Sequence, residues 1–228
     1  MKNWIVSLLA LGLSGAALAQ DSVGGFQEGV HYYEIDPPLN GQPVDGVTVT
    51  EVFSYLCNHC ATFEPYMQSW KTRKPEGVVL KRIPVEFGRA IWSLYARAYV
   101  TADLLGVAEQ AHVAMMDSLW KERRQMRSME EIAEFYAAYG VDPEKFVATS
   151  QSFAVDMRMK NEQKAVREAG VSGTPAMIVN GKYRISAGGP VSSYDTMLEI
   201  VDALVAREQA AETAQAPTAE AGEAVAQQ

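Results

Sequence analysis

Cysteine occurs only at positions 57 and 60 of the 228 residues, so a framework of several disulfides is excluded. Histidine is nearly as scarce. A zinc ion wants four ligands, and beyond the two cysteines the chain offers only His31, His59 and His112. Positive charge is also in deficit: 20 Lys and Arg stand against 28 Asp and Glu, for a formal net charge of −8. That balance argues against nucleic acid as a partner. After the first 19 residues no stretch approaches the roughly 18 uninterrupted apolar residues of a spanning helix, and no segment repeats.

The N-terminus carries Lys2, an apolar run from Trp4 to Ala17, and the small-residue end Ala17-Leu18-Ala19 before Gln20. This order of charged, apolar and small residues matches a secretory signal peptide over 1–19. It implies an oxidising destination, the periplasm, where disulfides persist. Hydrophobic residues make up 48% of the chain, enough for one substantial core. The last stretch, 209–228, is rich in Ala, Glu, Gln and Thr and has too little apolar bulk to pack, so it reads as a disordered tail.

Between these ends the periodicity changes twice. Val30–Ile35 and Val47–Tyr55 read as strands, as does Val78–Phe87, with Pro84 weakening its far end. A helix is predicted over 58–74. From residue 88 to 170 the pattern is helical, with Ser128-Met129-Glu130-Glu131 as a capping box and Asp142-Pro143 as a second helix start. Then come Gly173-Thr174-Pro175, two short apolar runs joined by Asn180-Gly181, and a final helix over 193–207. Asn-Gly between apolar runs is a strong hairpin signal. The order predicts an α/β domain split in two, 20–87 and 171–208, around a helical insertion at 88–170.

The pair Cys57-Asn58-His59-Cys60 follows a strand and opens a helix. A thiol at a helix start faces unpaired N–H groups and the positive end of the dipole, which favour thiolate over thiol. Cys57 is thereby the nucleophile of a redox-active dithiol. Cys60, three residues in, turns toward the body of the domain. A structural disulfide at this spacing closes too small a loop to stabilise much. His59 adds a hydrogen-bond donor or a cation if its ring points at Cys57, whereas His31 and His112 read as ordinary surface or partly buried residues.

The joint pattern of Glu51-Val52-Phe53-Ser54-Tyr55-Leu56-Cys57-Asn58-His59-Cys60, the helical insert, Gly173-Thr174-Pro175-Ala176 and Val179-Asn180-Gly181-Lys182-Tyr183 resembles the DsbA family of periplasmic thiol:disulfide oxidoreductases. The resemblance implies a thioredoxin fold with an inserted all-helical domain, a cis peptide before Pro175, and a depressed pKa at the first cysteine. It implies donation of the Cys57-Cys60 disulfide to unfolded exported proteins with free thiols. It also implies reoxidation by a quinone-linked, DsbB-like inner-membrane protein, with no metal and no cofactor. Thr174 and Pro175 would lie across from Cys57 and bind substrate by strand addition. Glu51 would be a buried acid near Cys60, paired with Lys81 or Arg82.

Two features qualify the resemblance. The stretch before the first core strand is too short for the extra dimerisation domain of the isomerases, which favours a monomer. Asn58 stands where the family has proline, which keeps a reductase or isomerase open as an alternative direction and predicts a less oxidising poise. A peptide-binding chaperone is the alternative outside enzymes.

Overall fold

The computed structural model describes residues 22–39 and 46–215. The predicted signal peptide and residues 216–228 of the predicted tail lie outside the described residues. Four strands of the main sheet follow from alternation and β-branched content: β4 (Val47–Phe53), β5 (Val78–Pro84), β6 (Ala176–Val179) and β7 (Tyr183–Ser186). Two-residue strands β1 (Ser22–Val23) and β2 (Phe26–Gln27) form a separate ribbon. The predicted strand Val30–Ile35 shortens to β3 (Tyr33–Glu34), which pairs with β7 at the sheet edge.

The five-stranded order is β3-β7-β6-β4-β5, with β4 parallel to β5 and antiparallel to β6. Parallel pairing requires a crossover connection. Helix α1 (Asn58–Arg73) supplies it. β4 is buried along nearly its whole length, as a central strand covered on both faces must be. Asn180 and Gly181 both take positive φ, 52° and 67°, the backbone a two-residue hairpin demands between β6 and β7.

One face of the sheet packs Val47, Val49, Met177 and Val179 against Phe63, Met67 and Trp70 of α1 and Leu198, Val201 and Leu204 of α7 (Tyr194–Gln215). Trp70 Nε1 donates to Asp202 Oδ1 at 2.7 Å across this contact. Helix α7 continues to Gln215, beyond the predicted end at Arg207 and into the stretch read as a loose tail. Ala, Glu and Gln are good helix formers, and Gln209 Nε2 ties this extension to Glu76 O at 2.9 Å.

Five helices separate β5 from β6: α2 (Ala90–Leu104), α3 (Ala108–Trp120), α4 (Met129–Ala137), α5 (Pro143–Ser150) and α6 (Phe153–Glu168). Their starts follow local chemistry. Ser128 Oγ accepts from Glu131 N at 3.2 Å, and Asp142 Oδ1 accepts from Lys145 N at 2.8 Å. Phe146 stacks on Tyr136 with centroids 4.7 Å apart. The core of these helices is continuous with Phe53, Tyr55, Cys57 and Cys60, so the insert packs directly against the dithiol.

Candidate active site

Cys57 is the N-cap residue of α1, with extended backbone angles of φ −99° and ψ 115°. That position is normally filled by an oxygen that accepts the free N–H groups of the first turn. Here Cys57 places a sulfur at that position, with no capping hydrogen bond from the thiol. Its pKa falls from an ordinary 9.0 to about 5, chiefly because the Cys60 side chain hydrogen-bonds to it; burial opposes the shift, while the Thr174 side chain and the backbone N–H groups of Cys60 and His59 assist. Cys60 is fully buried, and burial, the bond to Cys57 and the Cys57 and Glu51 charges push its pKa well up. Both cysteines are free thiols in this state.

The Thr174–Pro175 peptide is cis, and Cys57 Sγ donates to Thr174 O at 3.4 Å. The loop 117 positions away in sequence thus closes over the first cysteine. Beside it lies an open cleft of about 480 Å³ whose walls include His59, Tyr66, Thr174, Pro175, Val191 and Tyr194. The His59 ring is exposed on this wall, and His59 acts on the thiolate through its backbone N–H. The side chain of Asn58 is exposed at the first helical position. Tyr194 was not singled out by the sequence; its hydroxyl donates to His59 O at 3.0 Å and its ring packs on Phe63 and Tyr66.

Beneath the dithiol is a buried charge network. Glu51 stands directly across from Arg82 in the β4–β5 register, and Arg82 Nε donates to Glu51 Oε2 at 2.8 Å. Arg82, rather than Lys81, is therefore the partner, and its second nitrogen bonds Glu109. Lys81 lines an outer cavity along β5. Burial raises the Glu51 pKa against the pull of Arg82, whereas the Glu51, Glu64 and Glu109 charges outweigh burial and hold Arg82 firmly protonated.

Glu64 also joins the network, 3.7 Å from Arg82 Nη2. It sits four residues after Cys60, one turn further along the same helix face, which is the spacing that could have revealed it. His112 corrects the expectation of an ordinary surface or partly buried histidine. It is fully buried on α3, with Nδ1 3.1 Å from Tyr55 Oη and Nε2 3.2 Å from Glu64 Oε2. No local pattern marks it, because its surroundings come from β4 and α1. Glu51, Glu64 and His112 bring ligand-type atoms within 4.8 Å of one another, a spacing a metal ion could use. The Arg82 guanidinium already sets a positive charge against both carboxylates.

This arrangement can exchange disulfides: one low-pKa sulfur under a cis-proline loop, one buried sulfur behind it, and a carboxylate whose charge acts on the second. A family profile described as a DSBA-like thioredoxin domain matches residues 48–202. The thiol:disulfide interchange protein DsbA of Pseudomonas aeruginosa is 36% identical over 216 residues, covering 92% of this chain and 99% of the relative. That of Azotobacter vinelandii is 33% identical, covering 90% and 94%. Among solved structures, Pseudomonas aeruginosa DsbA superposes with a TM-score of 0.75 at 34% identity, covering 82% of this chain and 97% of the other. Oxidoreductase DsbA from Xylella fastidiosa gives 0.73 at 35%, covering 79% and 96%.

Proposed function

The chain belongs to the DsbA family of thiol:disulfide oxidoreductases, and from that premise we propose that it donates its Cys57-Cys60 disulfide to newly exported proteins in the periplasm. The observation that carries the direction is the asymmetry of the two thiols, Cys57 lowered to about 5 and Cys60 raised. A stabilised thiolate favours the reduced protein, and whatever stabilises the reduced protein makes its disulfide a stronger oxidant, by about 30 mV for each 1.4 kcal/mol.

In the cycle a substrate thiolate attacks the Cys57 sulfur, a mixed disulfide forms, and Cys60 leaves and takes up a proton. A second substrate thiolate then attacks the substrate sulfur of the mixed disulfide, releasing the substrate disulfide and the Cys57 thiolate. The cleft walled by His59, Thr174 and Pro175 receives an extended substrate segment, with the Thr174 backbone as its strand partner. Glu51 exchanges the Cys60 proton. Reoxidation falls to a quinone-linked inner-membrane protein of the DsbB kind, and the enzyme works as a monomer after removal of a signal peptide.

The test is equilibration in graded glutathione buffers, reading the fraction of Cys57-Cys60 disulfide. A dithiol much more oxidising than glutathione is the expected result. One as reducing as thioredoxin would reverse the direction and put the reductase or isomerase reading in front. A Cys57→Ser, Cys60→Ser double variant separates disulfide formation from any protection against aggregation.

A further inference from the structure

One guanidinium serves two buried carboxylates beneath the dithiol. Arg82 Nε is bonded to Glu51 Oε2 at 2.8 Å, while Arg82 Nη2 stays 3.7 Å from Glu64 and has no hydrogen-bond partner. Glu51 Oε1 is likewise buried and unpartnered. Two buried carboxylates compete for such a cation, and an unpaired one is costly. Glu64 Oε1 accepts from Gln68 Nε2, and the group nearest its otherwise unpartnered Oε2 is His112, whose Nε2 stands 3.2 Å away while Nδ1 meets the Tyr55 hydroxyl. The ring is clamped by Phe53, with centroids 4.9 Å apart.

We propose that His112 is a positioning residue for the thiol chemistry: by engaging Glu64 it leaves Arg82 on Glu51, and so keeps Glu51 Oε1 free to exchange the proton of Cys60. The inference rests on the disulfide-exchange reading above. In the resolving step the Cys60 thiol gives its proton to the Glu51 carboxylate. Its sulfur then attacks Cys57 of the mixed disulfide, the Cys57–Cys60 bond forms, and the bound thiol leaves as thiolate. The titratable and charged groups around Glu51 are Cys60 and Glu64 from α1, Arg82 from β5, Tyr99 from α2 and His112 from α3, with Glu109 beyond Arg82. Burial disfavours the Glu51 charge and Arg82 favours it, so the behaviour of this carboxylate depends on every competitor for Arg82.

Engagement of the carboxylate needs a proton on His112 Nε2, with Nδ1 left to accept from the Tyr55 hydroxyl when the ring is neutral. Without the imidazole, Glu64 draws Arg82 away, and Glu51 holds its proton to higher pH.

The experiment mixes the reduced full-length protein with oxidised glutathione and follows two steps across pH. Formation of the Cys57–glutathione mixed disulfide reads the exchange activity itself. Its resolution by Cys60 reads His112. In His112→Phe, which keeps a ring against Phe53, resolution at pH 7 should slow about tenfold and its midpoint rise by about one pH unit, while formation keeps the wild-type profile. His112→Gln, which retains a donor and an acceptor, should recover most of the rate. Glu64→Gln combined with His112→Phe removes the competing carboxylate and should restore the wild-type midpoint. A wild-type midpoint in His112→Phe, or a double variant no better than His112→Phe, overturns the proposal; loss of mixed-disulfide formation in the wild type would instead overturn the exchange reading. If His112→Phe does not fold, ¹⁵N NMR of the wild-type imidazole decides: a proton on Nε2 supports the proposal, and a proton confined to Nδ1 refutes it.

Discussion

The Cys57 thiolate owes more to Cys60 than to any other group, and Cys60→Ala isolates that contribution. The substitution removes the hydrogen bond that is the largest cause of the fall from 9.0 to about 5 and leaves the helix N-terminus and the Thr174 side chain in place. A hydrogen bond to a charged group contributes about 1.5–3 kcal/mol, and one pKa unit corresponds to about 1.4 kcal/mol. The Cys57 midpoint should therefore rise by roughly one to two units, to about 6–7. Thiolate absorbance near 240 nm against pH measures it on a protein with a single sulfur of this kind.

Linkage supplies an independent reading. A thiol whose folded pKa lies below its unfolded value stabilises the reduced protein fully above about pH 9, and the contribution is lost as pH falls through about 5. Urea midpoints of reduced wild type should rise between pH 5 and 8, while those of Cys60→Ala should stay flat until its higher midpoint is passed. A Cys60→Ala protein titrating at about 5 would refute the assignment and transfer the effect to the helix terminus.

Other expectations follow from single contacts. Asn58→Pro pre-organises the first helical position and should make the disulfide more oxidising by some tens of millivolts; an equal or lower potential in glutathione equilibration would contradict the reading of Asn58. Gly46 has φ +98°, and an added Cβ would lie 2.0 Å from Gly77 O, so Gly46→Ala should cost upward of about 3 kcal/mol in denaturant unfolding. A loss below about 1 kcal/mol would show that the loop before β5 yields freely. Trp70→Phe removes the bond to Asp202 and leaves a gap where the larger, fully buried indole packed, so a loss of at least about 1.5–3 kcal/mol is expected; an unchanged urea midpoint would mean that Arg73, whose Nη1 donates to Asp202 Oδ2 at 2.6 Å, alone satisfies the carboxylate.

Features set by neighbours in sequence were legible before any coordinates. Cys57 at a helix start, the caps at Ser128 and Asp142, and the Asn180-Gly181 hairpin each depend on backbone groups within four residues, so residue type and spacing suffice. The helical insert showed itself by its period. The tail failed by the same local logic in reverse: low apolar content concealed a helix that Gln209 ties to the loop before β5.

What the chain alone determined, then, was the chemistry available: one dithiol, a strand before it, a proline loop 118 positions on (175 minus 57), and too few histidines for a four-ligand zinc site. Tertiary structure decided which groups reach it. The β4–β5 register selects Arg82 over Lys81 for Glu51, because opposed residues in a sheet share a face. The start of α1 turns the His59 backbone, with its ring outside, toward the sulfur. The packing of α3 on β4 buries His112 among groups 48 and 57 positions away, at Glu64 and Tyr55. Such proximities arise from the closure of the chain on itself, and no pattern of nearest neighbours encodes them.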